Sequence, residues 1–191
     1  MLSEDVTSLS LSLDDSPLTF SFSFGLCDDL ILMSLSEEIN SRRVEIKKAN
    51  SIDIEILKST DNFSNAFVDR LLIDDARIDS MINSIKEIIE FKDPVGEIKN
   101  IEKMPSGIKV GKMSMPLGVI AMIYESRPNV TIDASALCIK SGNSIILRGG
   151  SESINTNIVL SNCIDEALHK NKLSKNIVQL IDKTDRSIVN E

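Results

Sequence analysis

The chain has 191 residues, of which 42% are hydrophobic and 26% are charged, a composition that fits one globular domain and excludes general disorder. The formal net charge of -8 excludes a nucleic-acid partner, because binding phosphates requires clustered lysine and arginine. The longest apolar run, residues 117–124, is far shorter than the roughly 20 residues of a membrane helix, so we expect no membrane span.

Residues 1–29 have an atypical pattern, in which leucines and then phenylalanines alternate with serines. This period of two is compatible with an added strand or with poor order. No basic residue precedes Arg42, which is unlike a secretory or transit peptide, and we therefore expect a cytoplasmic protein. We treat 1–29 as a separate segment and 30–191 as one domain.

Helices are predicted in the first half of that domain. Apolar residues set among charges from Leu30 to Asn50 indicate one or two surface helices. A second pattern is stronger, because isoleucines and Met81 recur at helical spacing between Ile78 and Ile89. Asp74 or Asp75 can cap its start and Pro94 prevents its continuation.

A different pattern follows the turn sequence 93–96. Apolar residues on both sides of Pro105-Ser106-Gly107 predict a two-stranded excursion. Residues 117–124 then resemble a parallel strand buried on both faces. A helix over 131–141 closed by Gly142, a strand over 144–147, a helix over 153–170 and a strand over 177–181 complete the series. The order predicts an α/β fold with a partial doubly wound parallel sheet, N-terminal helices and a β-hairpin.

This topology predicts where a ligand binds. Segments 125–129, 148–152 and 182–185 follow the three strands, so they should emerge at the same edge of the sheet, where such folds bind ligands. Neither G-x-G-x-x-G nor a P-loop motif is present, so any nucleotide site must be built differently.

One of these loops carries Arg148, Gly149, Gly150, Ser151 and Glu152. The glycines allow close backbone approach, the amides at a helix start favour an anion, the arginine adds a cation and the carboxylate can accept ribose hydroxyls. Spacing alone gives more weight to a simpler interpretation, in which the glycines make a tight turn and Arg148 pairs with Glu152 on the surface.

The loop after the first strand offers two further polar groups. Asn129 has an amide that can donate to a developing oxyanion, and Arg127 can bind a carboxylate or phosphate. From the residues alone, the more probable role of Asn129 is to cap the following helix. His169, near a helix end, is expected to be a solvated cation without chemistry.

The cysteines give no sign of a metal site or of a nucleophile. Cys27, Cys138 and Cys163 form no CxxC pair, and one histidine cannot complete a zinc site. Cys138 shares a helical face with Ala134 and Leu137, and Cys163 shares one with Leu160, Ile164 and Ala167, so both thiols are expected in the core.

A long stretch of the chain resembles a known family. Residues 115–157, MPLGVIAMIYESRPNVTIDASALCIKSGNSIILRGGSESINTN, closely resemble the glutamate-5-semialdehyde dehydrogenases, also called gamma-glutamyl phosphate reductases, of the aldehyde dehydrogenase superfamily. Shorter matches in the same order are Asp69-Arg70-Leu71, Arg77-Ile78, Asp93-Pro94-Val95-Gly96, Val178-Gln179 and Asp185-Arg186. The resemblance runs from about Leu30 to the end.

The resemblance implies that residues 30–191 are an incomplete cofactor-binding domain, with a hairpin that helps to build homo-oligomers. The implied reaction is NADPH-dependent reduction of L-glutamyl 5-phosphate to L-glutamate 5-semialdehyde and phosphate in proline biosynthesis. The nucleophilic cysteine of the family is absent from this chain. By resemblance, Asn129 stabilises the oxyanion, Arg148 to Glu152 bind NADPH or NADP, and Arg127 is a substrate clamp.

Three hypotheses follow. The chain is a piece of such a reductase and is inactive alone, or it is a binding module that pairs with a full-length copy or with glutamate 5-kinase, or it is a gene-model fragment. Exposed apolar surface left by the missing part predicts poor solubility or association.

Overall fold

The computed structural model describes residues 25–60 and 64–182. The alternating segment up to residue 24 and the Asp185-Arg186 match therefore lie outside the described residues. In the described part, the helices are α1 (Gly25–Ser41), α2 (Arg43–Lys58), α3 (Asn65–Leu71), α4 (Asp75–Glu90), α5 (Asn129–Lys140) and α6 (Ile154–Lys170). The strands are β1 (Ile98–Lys103), β2 (Lys109–Met113), β3 (Val119–Ile123), β4 (Ser144–Arg148) and β5 (Val178–Leu180). No described helix is long and apolar enough to cross a membrane.

The first four helices agree with the periodicity of the sequence. Helix α4 buries the isoleucines and Met81 of its apolar face, and the Asp74 carboxylate caps its start by accepting from the Arg77 amide at 2.8 Å. The prediction of this helix is confirmed. Helices α1 and α2 extend further than expected, because α1 already begins at Gly25 and α2 continues to Lys58, past Asn50.

Strands β1 and β2 form the predicted antiparallel hairpin, and every residue of both strands is exposed. Gly107 has a φ of +88° in the turn, which favours glycine. The hairpin therefore stands out from the rest of the fold and contributes nothing to its core.

A three-stranded parallel sheet in the order β3-β4-β5 confirms the predicted fold class. Helix α5 connects β3 to β4, and α6 connects β4 to β5. The end of α5 explains the role of Gly142. Its φ is +69°, its amide donates to Ile139 O at 3.1 Å, and the next amide, of Asn143, donates to Cys138 O at 2.8 Å. This is a Schellman motif, which needs a left-handed residue at the Gly142 position.

The expectation that residues 117–124 are buried on both faces is wrong. Strand β3 is an edge strand, and Leu117, Val119 and Ile123 are 86%, 68% and 62% exposed. The helices cover the opposite face, where Ile145 and Leu147 of β4 are buried. Because the register pairs Ile120 with Ile145, Val119 and Ile123 must point to the other face, which no described helix covers.

The core lies between the helices and the covered face of the sheet. Helix α6 is central to it, with Leu160, Cys163, Ile164 and Ala167 fully buried as predicted. On α5, Cys138 and Ala134 are buried, but the prediction that Leu137 shares their buried face is wrong, because its side chain is 48% exposed.

Candidate functional site

Two of the predicted loops meet at the carboxyl ends of β3 and β4. They line a cavity of about 470 Å³, which we call the rim cavity. Its wall contains Tyr124, Glu125 and Ser126 from one loop, residues 148–152 from the next, and Ile181 after β5. The expected convergence therefore holds for the described residues, while positions 183–185 lie outside them. Volumes of this order are typical of small-ligand sites.

Close packing explains both glycines of the rim cavity. A Cβ atom on Gly149 would overlap Asn157 Nδ2 and lie 3.0 Å from Tyr124 Oη. A Cβ atom on Gly150 would lie 2.7 Å from Ser126 Oγ. The glycines therefore allow the backbone to approach neighbouring side chains, which goes beyond making a tight turn.

These neighbours form a hydrogen-bond chain behind the loop. Tyr124 Oη lies 2.6 Å from Thr131 Oγ1, which donates to Asn157 Oδ1 at 3.0 Å. Burial raises the pKa of the Tyr124 phenol, although the Thr131 contact opposes the shift, so the phenol stays neutral near pH 7. These hydrogen bonds fix the floor of the rim cavity.

Glu152 is held within the rim cavity by the β3 loop. It lies in a short 3₁₀ turn over Ser151–Ser153, and its Oε2 accepts from Ser126 Oγ at 2.9 Å. The pairing of Glu152 with Arg148 stays a prediction, while Ser126 is a hydrogen-bond partner of Glu152 that the sequence did not suggest. Arg148 is half-buried at the end of β4 and lines the same cavity.

The expectation that the backbone amides at the start of α6 are free to bind an anion is wrong for Asn155 and Thr156. The buried Asp53 carboxylate of α2 accepts from the amide N–H groups of Asn155 at 3.2 Å and Thr156 at 2.8 Å. It also accepts from Asn155 Nδ2 at 2.7 Å and Thr156 Oγ1 at 2.5 Å. A protein carboxylate thus occupies this position, where an anionic ligand was expected.

Asn50 extends the same polar framework. Its side chain donates to Leu71 O at 2.8 Å and to Thr156 Oγ1 at 3.3 Å, and it accepts from the Ile73 amide at 2.7 Å. Sequence reasoning missed both Asn50 and Asp53. A signal existed, because both fall on the face of α2 that carries the buried Ile46 and Leu57, where a polar residue requires buried partners.

A second cavity, of about 340 Å³, lies where α3 and α4 meet the start of α5. We call it the inner cavity. Arg127 and Asn129 line this cavity and not the rim cavity, and Arg70 lines both. The structure therefore brings Arg148 and Glu152 together, but it does not place Asn129 in a common cavity with them.

Asn129 does not cap α5 as the sequence suggested. Pro128 occupies the N-cap position without a side-chain cap, and Asn129 is the first helical residue. Its Nδ2 donates to Asp133 Oδ2 at 3.1 Å, one helical turn along. The capping prediction fails because proline fixes the helix entry one residue earlier.

Neither cysteine whose side chain is described can serve as a ready nucleophile. Cys138 and Cys163 are buried, and burial raises the pKa of both thiols, that of Cys163 to about 11. The Arg42 guanidinium, 4.0 Å from Cys163 Sγ, opposes this shift only in part. Both thiols are therefore protonated near neutral pH. The expectation that they are core residues is confirmed, and His169 is exposed at the end of α6 as expected.

Comparison with known proteins identifies relatives. No protein-family model matches the chain. A gamma-glutamyl phosphate reductase of Clostridium tetani is 46% identical over 160 residues, which are 84% of this chain and 37% of that protein. Crystal structures of gamma-glutamyl phosphate reductases from Thermotoga maritima and Saccharomyces cerevisiae superpose with TM-scores of 0.82 and 0.78, at 39% and 30% identity. They are matched over 86% and 83% of this chain and over 40% and 41% of their own chains.

More distant structures share the fold alone. A glyceraldehyde-3-phosphate dehydrogenase of Methanocaldococcus jannaschii has a TM-score of 0.53 at 20% identity. The chain thus has an aldehyde-dehydrogenase-like fold and spans less than half the length of the reductases that it matches.

Proposed function

Because the chain is homologous to gamma-glutamyl phosphate reductases, we propose that it forms the cofactor-binding part of an enzyme that reduces L-glutamyl 5-phosphate to L-glutamate 5-semialdehyde and phosphate, in proline biosynthesis. The observation that carries this proposal is 46% identity along 160 residues. The activity belongs to the whole protein, since the chain spans 37% of that relative.

The rim cavity fits the adenosine half of NADPH. The Glu152 carboxylate keeps one oxygen for a ribose hydroxyl beside its bond to Ser126, and Arg148 supplies positive charge for a 2'-phosphate. The distant Methanocaldococcus jannaschii dehydrogenase was crystallised in complex with NADP. In this proposal Ser151 shares the ribose contact, Gly149 and Gly150 shape the loop, and NADPH supplies the hydride when bound.

Covalent catalysis requires a thiolate, and the two cysteines whose side chains are described, Cys138 and Cys163, are buried and protonated. We therefore propose that the isolated chain is inactive. Asn129 and Arg127 keep their proposed roles in oxyanion stabilisation and substrate binding through the inner cavity, which meets the rim cavity at Arg70. The acyl group would have to lie near this boundary.

The fully exposed β1-β2 hairpin supports a homo-oligomer, because it has no partner element within the described chain. Glutamate 5-kinase is the proposed partner that delivers the acyl phosphate. Unpaired Cys138 and Cys163 are consistent with a reducing compartment, and we propose the cytoplasm.

A cofactor titration tests the proposal. The fluorescence of NADPH would be titrated with the 191-residue chain, with Arg148→Ala and with the control Lys86→Ala on the exposed face of α4. Losing a charge-assisted contact of about 1.5–3 kcal/mol should weaken NADPH binding by roughly 10- to 100-fold in Arg148→Ala. The binding of NADH, which lacks the 2'-phosphate, should be weakened much less. The circular dichroism spectrum of Arg148→Ala should match that of the parent.

Two results would refute the cofactor assignment: no binding of either dinucleotide by the parent chain, or equal affinities for NADPH in the parent and Arg148→Ala. The inactivity of the isolated chain is tested in the reverse direction, by adding glutamate 5-semialdehyde, phosphate and NADP. Production of NADPH above the buffer rate would contradict it.

A non-catalytic assembly role is the second candidate function, favoured by the exposed hairpin and by the open face of β3. In that case the chain would bind the full-length reductase or the kinase without binding NADPH. Sedimentation of the chain with each protein, beside the cofactor titration, separates the two functions.

A further inference from the structure

The inner cavity contains two arginines that have no ion pair with any described residue. Arg70 and Arg127 are exposed, and neither guanidinium has a hydrogen bond or ion pair with any described residue. Arg77, which also lines the cavity, is by contrast used in the fold. It donates to Leu72 O at 2.6 Å and pairs with the Asp69 carboxylate at 2.9 Å. Two guanidinium groups therefore remain available to a ligand.

The same cavity contains a carboxylate with one unused oxygen. Asp133 Oδ2 accepts from Asn129 Nδ2, but Oδ1 is enclosed by protein and has no hydrogen-bond partner among the described residues. Burial raises the pKa of this carboxyl group, and the Asn129 bond only partly offsets the shift. A cationic donor at Oδ1 would satisfy the acceptor and favour its charged form.

We propose that the inner cavity binds the α-amino-acid end of the substrate, with Asp133 accepting from the α-ammonium group and Arg127 binding the α-carboxylate. This inference rests on the proposed reductase function and extends it to residues that select the substrate. A zwitterion matches a site that offers one carboxylate and one guanidinium. An inorganic anion or a simple dicarboxylate would leave Asp133 Oδ1 unpaired and would be repelled by it.

The position of Arg70 gives the bound zwitterion a direction. Among the described residues that line the two cavities, Arg70 alone lines both, so it marks the boundary between them. With its α-end in the inner cavity, the acyl phosphate end of the substrate extends toward this boundary and toward the rim cavity. The reacting carbonyl then lies at the Arg70 boundary, and the rim cavity keeps its assignment to the adenosine half of the cofactor.

Calorimetric titration of the 191-residue chain tests the assignment. The probes are L-glutamate 5-methyl ester, which keeps the zwitterion, and glutarate monomethyl ester, which lacks the ammonium group. The variants are Asp133→Asn, which keeps the shape of the side chain, Arg127→Gln on the exposed loop, and the control Glu87→Gln on the exposed side of α4.

The parent chain and Glu87→Gln should bind the L-glutamate ester at least tenfold more tightly than the glutarate ester. Asp133→Asn should remove most of this difference, by weakening the L-glutamate ester and by relieving the repulsion of the glutarate ester. Arg127→Gln should weaken both esters by tenfold or more. Equal affinities of the parent for the two esters, an unchanged preference in Asp133→Asn, or no binding of either probe by the parent would each overturn the assignment.

The NADPH titration of the same samples separates this inference from the proposed function. If the chain binds NADPH but shows no ammonium-dependent preference, the inner-cavity assignment fails and the reductase proposal stands. If it binds neither NADPH nor the L-glutamate ester, both fail. If Asp133→Asn fails to fold, Arg127→Gln decides the test, because Arg127 is exposed. Equal affinities of Arg127→Gln and the parent for the L-glutamate ester then overturn the assignment.

Discussion

Asp53 should be among the most important side chains for the stability of this chain. Its buried carboxylate accepts four hydrogen bonds from Asn155 and Thr156 at the start of α6, across about one hundred residues of sequence. A hydrogen bond to a charged group contributes about 1.5–3 kcal/mol. The four bonds share two oxygens and are not additive, so we expect Asp53→Ala to lower the free energy of unfolding by about 3–5 kcal/mol in total.

Chemical unfolding followed by far-ultraviolet circular dichroism measures this loss, and Glu55→Gln on the exposed side of the same helix is the matched control. For a chain of this size the loss corresponds to a fall in Tm of roughly 6–20 °C. Asp53→Asn should lie between the parent and Asp53→Ala, because an amide keeps only one acceptor oxygen. A loss below about 0.5 kcal/mol in Asp53→Ala, the range of ordinary surface changes, would refute the role assigned to this carboxylate.

Four other changes have defined outcomes. Gly149→Ala should cost about 1–3 kcal/mol in urea unfolding because its Cβ meets Tyr124 and Asn157, and a variant as stable as the parent would contradict this packing. Burial, with Asp93 nearby, raises the pKa of Asp28 to about 7, so the folded chain binds a proton that the unfolded chain has lost above about pH 4. The free energy of unfolding should therefore fall as pH rises from about 4 to about 7, and Asp28→Asn should reduce this slope; an equal slope would refute the shift. In a Cys27→Ser chain, the remaining buried thiols should react with a disulfide reagent only as fast as the chain opens, and a fast phase in native buffer would contradict their burial. Val119→Lys on the open face of β3 should lower self-association in sedimentation, whereas unchanged association would show that another surface is responsible.

Local patterns predicted the elements of this fold well. Helix α4 followed from the spacing of its isoleucines and from Asp74, and the end of α5 followed from Gly142, because these signals depend on neighbours within a few residues. Burial was harder to predict. The apolar run of β3 indicated a strand covered on both faces, but the covering of a face depends on elements elsewhere in the chain.

The sequence predicted only those parts of the candidate site that the order of the parallel strands positions. Parallel strands fix the loops that carry Glu125 and Arg148 at one edge, so their convergence could be deduced. The capping of α6 by Asp53 could not, because it joins residues about one hundred positions apart. Asn129 was expected beside Arg148, but as the first residue of α5 it lines the inner cavity with residues of α3 and α4.

The polar framework of α2 connects the walls of both cavities. Asn50 holds Ile73 and also Leu71, which adjoins Arg70 at the boundary, and it contacts Thr156 at the start of α6. The 3₁₀ turn that carries Glu152 immediately precedes that helix. A change at Asn50 should therefore disturb both cavities, whereas Gly149→Ala acts on the rim cavity through its own packing. Coupling between the rim cavity and the inner cavity has its most direct physical route through this one helix.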